Sequence, residues 1–247
     1  MEHELKAVVL AAGKGTRLQT EGCDLPKVMR EVCSRPLLHY VLKALSFIPA
    51  EDTTIVVGYR KEEVKSHFFG YKYAEQAEQL GTGHAVSCAL EQSGIRSGHV
   101  LVCCGDMPLL KEATYRALVE EHLQGGFDCT MLTGSSRLPL PYGRVVRDEN
   151  GSFLRIVEDR DCTPEEKTIE ELNSGVYVFS AAMLAQALGS VGNDNAQGEY
   201  YLTDVPPIIQ SLGGTLGVCR RELGYEIIGV NTIEQLRQVE EIVKSGE

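Results

Sequence analysis

A glycine-rich segment flanked by two cations is the part of the sequence best suited to binding phosphate. The segment Leu10–Leu18, LAAGKGTRL, directly follows a short apolar run, and Lys27 comes shortly after it in Leu-Pro-Lys. Small residues let a backbone approach a ligand closely, and the cations Arg17 and Lys27 can pair with phosphate oxygens. The spacing matches neither a P-loop nor a dinucleotide fingerprint. A tight strand-to-helix turn without a ligand, with Lys27 in solvent, is the structural alternative.

Asp106 and Asn231 are candidate ligands of a divalent cation. Asp106 follows the apolar run His99–Cys103, and Asn231 follows the strand-like run Glu226–Val230. Mg²⁺ prefers oxygen ligands, commonly one or two from protein together with phosphates and water. Asp106 could equally be a turn or cap carboxylate, and Asn231 could cap the helix that follows it. Thr232 is an equally good cap, so capping does not require Asn231.

Glu158 and Asn173 have the chemistry to bind a sugar. A carboxylate accepts hydrogen bonds from hydroxyl groups. Taken singly, Glu158 also fits a solvated carboxylate at a strand end, and Asn173 fits a turn former. His84 lies in a helical pattern, where a packed histidine is a simpler interpretation than a catalytic one.

Alternating apolar runs and helical patterns must position these residues. Strands are predicted at Lys6–Leu10, Thr53–Val57, His99–Cys103, Phe127–Leu132 and Leu172–Phe179, and helices at Leu37–Leu45, from about Arg60, and at His84–Leu90, Ala113–His122, Tyr201–Leu212 and Ile233–Lys244. This α/β alternation indicates a mostly parallel sheet flanked by helices. Gly143–Arg147 and Phe153–Glu158 flank a turn-forming sequence and predict a hairpin. Ligands bind at the carboxyl ends of strands in such sheets. A single domain over residues 1–247 is expected.

Composition and charge exclude several classes of function. The net charge of −11 argues against a nucleic-acid partner, which requires clustered cations. No apolar run approaches the roughly 20 residues that span a bilayer, and the N-terminus lacks the basic region of a signal peptide. The eight cysteines form no C-x-x-C pair, which argues against zinc and redox motifs. We therefore expect a cytoplasmic protein with no membrane partner.

The order of the motifs resembles that of the sugar-phosphate nucleotidyltransferases. The glycine segment and Leu-Pro-Lys are followed by QAEQLGTGHA from Gln76, GDMPL from Gly105, YGR from Tyr142, IVE ending at Glu158, ELNSG from Glu171, NAQGEYYLTD from Asn195 and GVN ending at Asn231. The series covers nearly the whole chain. It is most similar to the N-terminal uridylyltransferase domain of the bacterial bifunctional N-acetylglucosamine-1-phosphate uridylyltransferase/glucosamine-1-phosphate acetyltransferases. The resemblance implies the nucleotide-diphospho-sugar transferase fold, a Rossmann-like open sheet with a smaller antiparallel sugar-binding insertion.

The resemblance also implies roles for individual residues. The resemblance places the uridine nucleotide against Leu10, Ala11, Ala12 and Gly13. It places the uracil against Gln76, Gly81 and Thr82, and it makes Gly105 a further substrate contact. Arg17, Lys27 and Asp106 are the implied catalytic residues, with the two cations neutralising phosphate charge. Asp106 and Asn231 hold Mg²⁺, and Gly143, Glu158 and Asn173 bind the N-acetylglucosamine.

The implied reaction converts UTP and N-acetylglucosamine 1-phosphate into UDP-N-acetylglucosamine and pyrophosphate, a step of peptidoglycan synthesis. Two alternatives stay open. One is a related enzyme with another base or sugar, such as a thymidylyl- or cytidylyltransferase, because pocket preference shifts with few substitutions. The other is a non-catalytic nucleotide-sensing domain of the same fold. The oligomeric state is left open.

Two departures from the family pattern stand out. The stretch Gln19–Asp24 is a few residues longer than usual, which affects where Lys27 is placed. The sequence ends at Glu247 without the hexapeptide repeats of the acetyltransferase β-helix, so we expect no acetyl transfer.

Overall fold

A computed structural model describes residues 4–18, 24–136 and 139–246 of the chain. Its strands are β1 (Leu5–Leu10), β2 (Glu31–Val32), β3 (Arg35–Pro36), β4 (Thr53–Val57), β5 (Lys72–Glu75), β6 (His99–Cys104), β7 (Cys129–Ser136), β8 (Arg144–Arg147), β9 (Phe153–Val157), β10 (Leu172–Ser180) and β11 (Leu216–Gly224). Its α-helices are α1 (Leu37–Ala44), α2 (Lys61–Lys65), α3 (Thr82–Ser93), α4 (Glu112–Gly125), α5 (Ala181–Leu188), α6 (Val205–Ser211) and α7 (Ile233–Ser245).

The main sheet is mixed, and a strand near the middle of its seven-strand path is reversed. Its order is β11-β7-β10-β6-β1-β4-β5, and β10 runs antiparallel to both of its neighbours while the other adjacent pairs are parallel. Leu10 at the end of β1 is in register with Cys104 at the end of β6. Because β10 is reversed, its first residues lie at the same edge as the last residues of β1 and β6.

Strand alternation distributes the core over both faces of the sheet. Along β1, Ala7 and Val9 pack on one face against α1 and α4, and Val8 packs on the other against α3, α5 and α6. Successive strand residues point to opposite faces, so a sheet covered on both sides needs apolar residues at every position. This explains why the β1 run Ala7-Val8-Val9 is apolar without alternation, as an interior parallel strand is expected to be.

The predicted fold class is confirmed: the sheet is mostly parallel and flanked by helices. The predicted hairpin is also present, with β8 antiparallel to β9 around a turn in which Gly151 N–H donates to Asp148 O at 3.0 Å. It is joined to the main sheet, because β8 pairs with β10 where Arg144 faces Leu172. The antiparallel part is therefore an extension of one sheet.

The sequence prediction missed β5, β11 and α5, and its strand at Glu226–Val230 was wrong. β5 and β11 are the two outer strands of the sheet. Outer strands are partly exposed, and β11 carries Arg220, Arg221 and Glu222 in succession, which hides the strand pattern. Residues 226–227 belong to a turn and residues 228–230 to no regular element, and Val230 N–H donates to Asp106 O at 2.9 Å.

Buried cysteines behave as small apolar residues. Cys103, Cys129 and Cys219 are fully buried in the strands, and the cysteines of the described ranges are free thiols. Cys23 lies outside the described residues. No helix within the described ranges combines the length and apolar character needed to cross a bilayer.

Candidate active site

The glycine segment leaves β1 and folds back over Lys27. Its start is anchored by hydrogen bonds from Ala11 N–H to Val56 O and from Gly105 N–H to Leu10 O, both 2.9 Å. Gly15 has a φ of +66°, and a Cβ there would lie 2.6 Å from Lys27 Cβ. A glycine at this position therefore permits both the left-handed turn and the close packing on the lysine.

Lys27 is held in place by the residues around it. Pro26 adopts an extended conformation with φ −55° and ψ 148°, and a single 3₁₀ turn, Lys27–Met29, follows it. Val28 and Met29 are buried in the core, so the backbone of this turn is fixed. The Lys27 ammonium pairs with the Asp106 carboxylate and donates to Asn231 Oδ1 at 2.6 Å. The longer stretch preceding Lys27, noted in the sequence at Gln19–Asp24, lies outside the described residues except for Asp24.

Asn231 is not the cap of the helix that follows it. Thr232 caps α7 by accepting from Gln235 N–H, and Gln235 Oε1 accepts from the backbone N–H groups of Asn231 and Thr232 in return. The Asn231 side chain is therefore available to the site, where its Oδ1 also lies 3.5 Å from an Arg17 guanidinium nitrogen. Four residues from three separate parts of the sequence therefore lie close together: Arg17, Lys27, Asp106 and Asn231.

The donor set at this point fits a hard cation. The Asp106 carboxylate and Asn231 Oδ1 converge on one positive charge, the Lys27 ammonium. Oxygen donors arranged around a cation in this way suit Mg²⁺, which takes its remaining ligands from phosphates and water. Within the described ranges, no group of three or more His, Cys, Asp or Glu side chains is placed to hold a metal by itself. A metal here would therefore depend on a bound phosphate.

A cavity of about 290 Å³ opens on one side of Asp106, between the glycine segment and the start of α3; we call it the loop cavity. Its walls include all seven residues predicted to contact the nucleotide: Leu10, Ala11, Ala12, Gly13, Gln76, Gly81 and Thr82. Gln79, also in the wall, donates from Nε2 to Ala12 O at 2.8 Å and so ties the two sides together. Most of these residues are small, so the cavity is shaped largely by backbone.

A second cavity of about 190 Å³ opens on the other side of Asp106, at the start of β10; we call it the β10 cavity. Its walls include Gly143, Glu158 and Asn173, the three residues predicted to bind a sugar. Asn173 N–H donates to Gly143 O at 2.8 Å. The two cavities share Leu10, Thr82, Cys104 and Asp106, so they form one continuous cleft.

Glu158 supplies a carboxylate to the β10 cavity, in addition to the shared Asp106. Its Oε1 accepts a hydrogen bond from the Thr203 hydroxyl at 3.0 Å. Burial raises the pKa of Glu158, and the nearby carboxylates of Asp161 and Asp204 raise it further, while the Thr203 hydrogen bond acts in the opposite direction. A carboxylate in this setting is a strong acceptor for ligand hydroxyl groups because little water competes for it.

Two predicted residues lie outside both cavities. Arg17 lines an adjoining cleft of about 250 Å³, together with Asn231 and Glu158, at the mouth of the site. Gly105 does not line either cavity; it links the end of β6 to β1 through its bond to Leu10 O. A Cβ at Gly105 would lie 3.2 Å from that oxygen, so its role in the structure is packing.

The sequence prediction omitted several residues that line the cleft. Tyr142 is in the wall of the β10 cavity, donates to Ile227 O at 3.0 Å and accepts from Gly229 N–H at 2.6 Å, which fastens the hairpin to the segment carrying Asn231. Cys104 and Thr203 also line that cavity. Tyr142 and Thr203 fall inside the YGR and NAQGEYYLTD motifs, so position within a motif was the available signal.

Comparisons with known proteins identify the family of the chain. The model of the MobA-like NTP transferase domain family matches residues 7–196, and the chain belongs to this family of nucleotidyltransferases. It is 43% identical over 98% of its length to the bifunctional protein GlmU of Caldanaerobacter subterraneus, and to that of Alkaliphilus oremlandii, covering 52% of each. The chain thus spans about half the length of these curated relatives.

A solved structure supports the fold independently of close sequence similarity. A protein of Bacillus anthracis, provisionally named a glucose-1-phosphate thymidylyltransferase and crystallised with a sucrose, superposes with a TM-score of 0.74. The match covers 98% of this chain and 96% of that one at 19% sequence identity. At this identity the likeness concerns the fold alone.

Proposed function

We propose that the chain is a Mg²⁺-dependent uridylyltransferase that makes UDP-N-acetylglucosamine and pyrophosphate from UTP and N-acetylglucosamine 1-phosphate. The observation that carries the proposal is the position of Asp106, with Lys27 and Asn231 beside it, at the junction of two cavities. The reaction joins a nucleotide to a sugar phosphate, and so needs two binding sites that meet at phosphate-binding groups. The 43% identity to proteins named GlmU supports this choice of substrates.

In this proposal the sugar phosphate oxygen attacks the α-phosphorus of UTP in line with the departing pyrophosphate. The attacking oxygen is already an anion, so no general base is required. The barrier arises from repulsion between anions and from alignment, and both are lowered by positioning and by fixed positive charge. Lys27, which lies next to Asp106 and Asn231, would supply charge to the phosphates at the junction of the cavities, and Arg17 would supply it at the mouth.

Asp106 and Asn231 would hold the Mg²⁺, which would polarise phosphate oxygens and offset their charge. The seven predicted nucleotide contacts, which lie in the wall of the loop cavity, would bind the uridine nucleotide. Glu158 would accept hydrogen bonds from the sugar hydroxyls, with Gly143 and Asn173 beside it in the β10 cavity. We also propose that residues 1–247 act as one domain, that the protein works in the cytoplasm without nucleic acid, and that its product serves peptidoglycan synthesis.

Pyrophosphate release with UTP, N-acetylglucosamine 1-phosphate and Mg²⁺, with and without a chelator, tests the proposal. We expect release that the chelator abolishes and that added Mg²⁺ restores. A parallel panel with dTTP or CTP, and with glucose 1-phosphate, measures the preference for base and sugar. Release that is faster with dTTP and glucose 1-phosphate would replace the uridylyl assignment, and no release from any pair would favour a nucleotide-sensing domain.

A further inference from the structure

The Gln76 carboxamide has both of its donor hydrogens engaged by the protein. Gln76 lies in the wall of the loop cavity and is only 4% exposed. Its Nε2 lies 2.9 Å from Gly81 O and 3.1 Å from Nδ1 of His84. An amide NH₂ group has two hydrogens, so these two contacts use both of them. The carboxamide oxygen is therefore the atom that remains for a ligand in the cavity.

The orientation of this carboxamide is fixed by chemistry. Gly81 O is a backbone carbonyl and only accepts hydrogen bonds, so the Gln76 atom facing it must be the nitrogen. That nitrogen only donates, so the ring nitrogen of His84 opposite it must accept. His84 is therefore neutral, with its proton on Nε2 and a bare Nδ1.

The other side of the His84 ring is consistent with this tautomer. Nε2 lies 3.7 Å from Sγ of Cys88, one turn further along α3. Burial raises the pKa of Cys88, which keeps it a thiol, and a thiol sulfur is a weak acceptor for the Nε2–H group. Both ring nitrogens of His84 thus have a partner on the protein, which holds the ring in one orientation.

We propose that His84 is a positioning residue that holds the Gln76 carboxamide with its oxygen towards the nucleobase and thereby selects uracil over cytosine. The inference rests on the proposed function, because it assumes that the loop cavity receives the base. Uracil carries a hydrogen on N3 and donates to an oxygen, whereas N3 of cytosine is a bare acceptor. A carboxamide locked with its oxygen outward therefore pairs with uracil and repels cytosine.

Without His84 the carboxamide loses one of the two acceptors that fix it. A rotated carboxamide offers its NH₂ group to the base, which suits N3 of cytosine. Only the contact with Gly81 O then opposes rotation of the Gln76 carboxamide. Selection between uracil and cytosine should weaken, while selection between uracil and thymine should not, because both carry the N3 hydrogen.

Two variants of His84 separate the effect of the acceptor atom from the effect of the bulk of the ring. His84→Phe keeps a ring but has no acceptor, and His84→Asn places an oxygen near the position of Nδ1. Glu91→Ala, at an exposed site on the same helix, is the control. The readouts are kcat/KM for UTP, CTP and dTTP, KM for N-acetylglucosamine 1-phosphate, and the melting temperature, all measured on the full chain.

We expect His84→Phe to lower the ratio of kcat/KM for UTP to that for CTP about tenfold, the effect of one hydrogen bond. The UTP to dTTP ratio and the KM for the sugar phosphate should stay at wild-type values. His84→Asn should restore most of the UTP to CTP ratio. An unchanged ratio in His84→Phe, or an equal loss in His84→Asn and His84→Phe, would overturn the proposal.

The unmodified protein provides a test that does not depend on a variant folding. The ¹⁵N chemical shifts of the imidazole report which ring nitrogen carries the proton, and the His84 signals are identified by their loss in His84→Asn. We expect the Nε2–H tautomer, and a proton on Nδ1 would contradict the inference. A wild-type protein that shows this tautomer but consumes no UTP would instead contradict the proposed function.

Discussion

The loop cavity and the β10 cavity share Asp106 but are built in opposite ways. Small residues from the turn after β1 and from the start of α3 form a large part of the wall of the loop cavity. The β10 cavity takes polar side chains from separate segments, among them Glu158, Asn173 and Thr203, with the backbone of Gly143 beside them. The first cavity depends on the course of the backbone and the second on individual side chains. Substitutions should therefore affect them differently.

Asp106→Ala should have the largest effect, because Asp106 belongs to both cavities. We expect kcat to fall about 10²–10³-fold, the order of loss seen when one electrostatic group is removed from a catalytic centre. Pyrophosphate release at saturating UTP and sugar phosphate measures the effect, with Glu62→Ala on the exposed face of α2 as the control. A folded Asp106→Ala protein with near-wild-type release would remove Asp106 from the catalytic centre.

Gly15→Ala tests whether the loop cavity depends on backbone geometry. The left-handed φ and the contact with Lys27 should lower the free energy of unfolding by about 1–2 kcal/mol and raise KM for UTP. Gly13→Ala is the matched variant, because a Cβ at Gly13 meets no protein atom within 4 Å. Its free energy of unfolding should change by less than about 0.5 kcal/mol. Equal destabilisation of the two variants in chemical denaturation would contradict this account.

Glu158→Gln tests whether the β10 cavity depends on a single side chain. The glutamine can still accept from Thr203, so the fold should be kept while the charge is lost. We expect KM for N-acetylglucosamine 1-phosphate to rise about tenfold, because hydrogen bonds to a charged acceptor are the stronger kind. KM for UTP should not change. A rise shared equally by both substrates would show that the two cavities are not independent.

The pH dependence of sugar affinity should show the smallest effect. Burial raises the pKa of Glu158, so on acidification it gains a proton at a higher pH than an ordinary carboxyl does. The protonated group is a poorer acceptor, and KM for the sugar phosphate should therefore rise as pH falls. Subtracting the pH profile of KM measured for Glu158→Gln removes the contribution that comes from titration of the substrate phosphate. Parallel profiles for the two proteins would mean that Glu158 does not titrate in the range that was measured.

The contrast between a cavity shaped by backbone and a cavity formed by individual side chains also explains how much of the site could be predicted from the sequence. The glycine segment and Lys27 are close in the chain, and local chemistry alone pointed to phosphate there. Glu158 and Asn173 had equally good structural explanations, and only the order of the motifs singled them out. What brings them together is the pairing of β8 and β10, which is set by tertiary packing. No local pattern encodes such a contact.

The elements of the fold, too, could be predicted only where a local sequence pattern encodes them. Strands covered on both faces, such as β1, β4 and β6, were predicted closely because burial demands continuous apolar sequence. The outer strands β5 and β11 were missed because partial exposure admits charged residues. Asn231 was ambiguous for a different reason: Asn231 and Thr232 both cap helices well, and only the side-chain contacts of the folded chain distinguish them.

The reversed direction of β10 has a consequence for which parts of the fold can vary independently. Because β10 enters the sheet from the opposite end, the chain before it forms the β8–β9 hairpin at the same edge as the glycine segment after β1. That hairpin and its neighbours can be exchanged or lengthened without disturbing the parallel strands that carry the other half of the site. Under the proposed function, the residues that select the sugar can thus change while those that hold the nucleotide and its phosphates are kept.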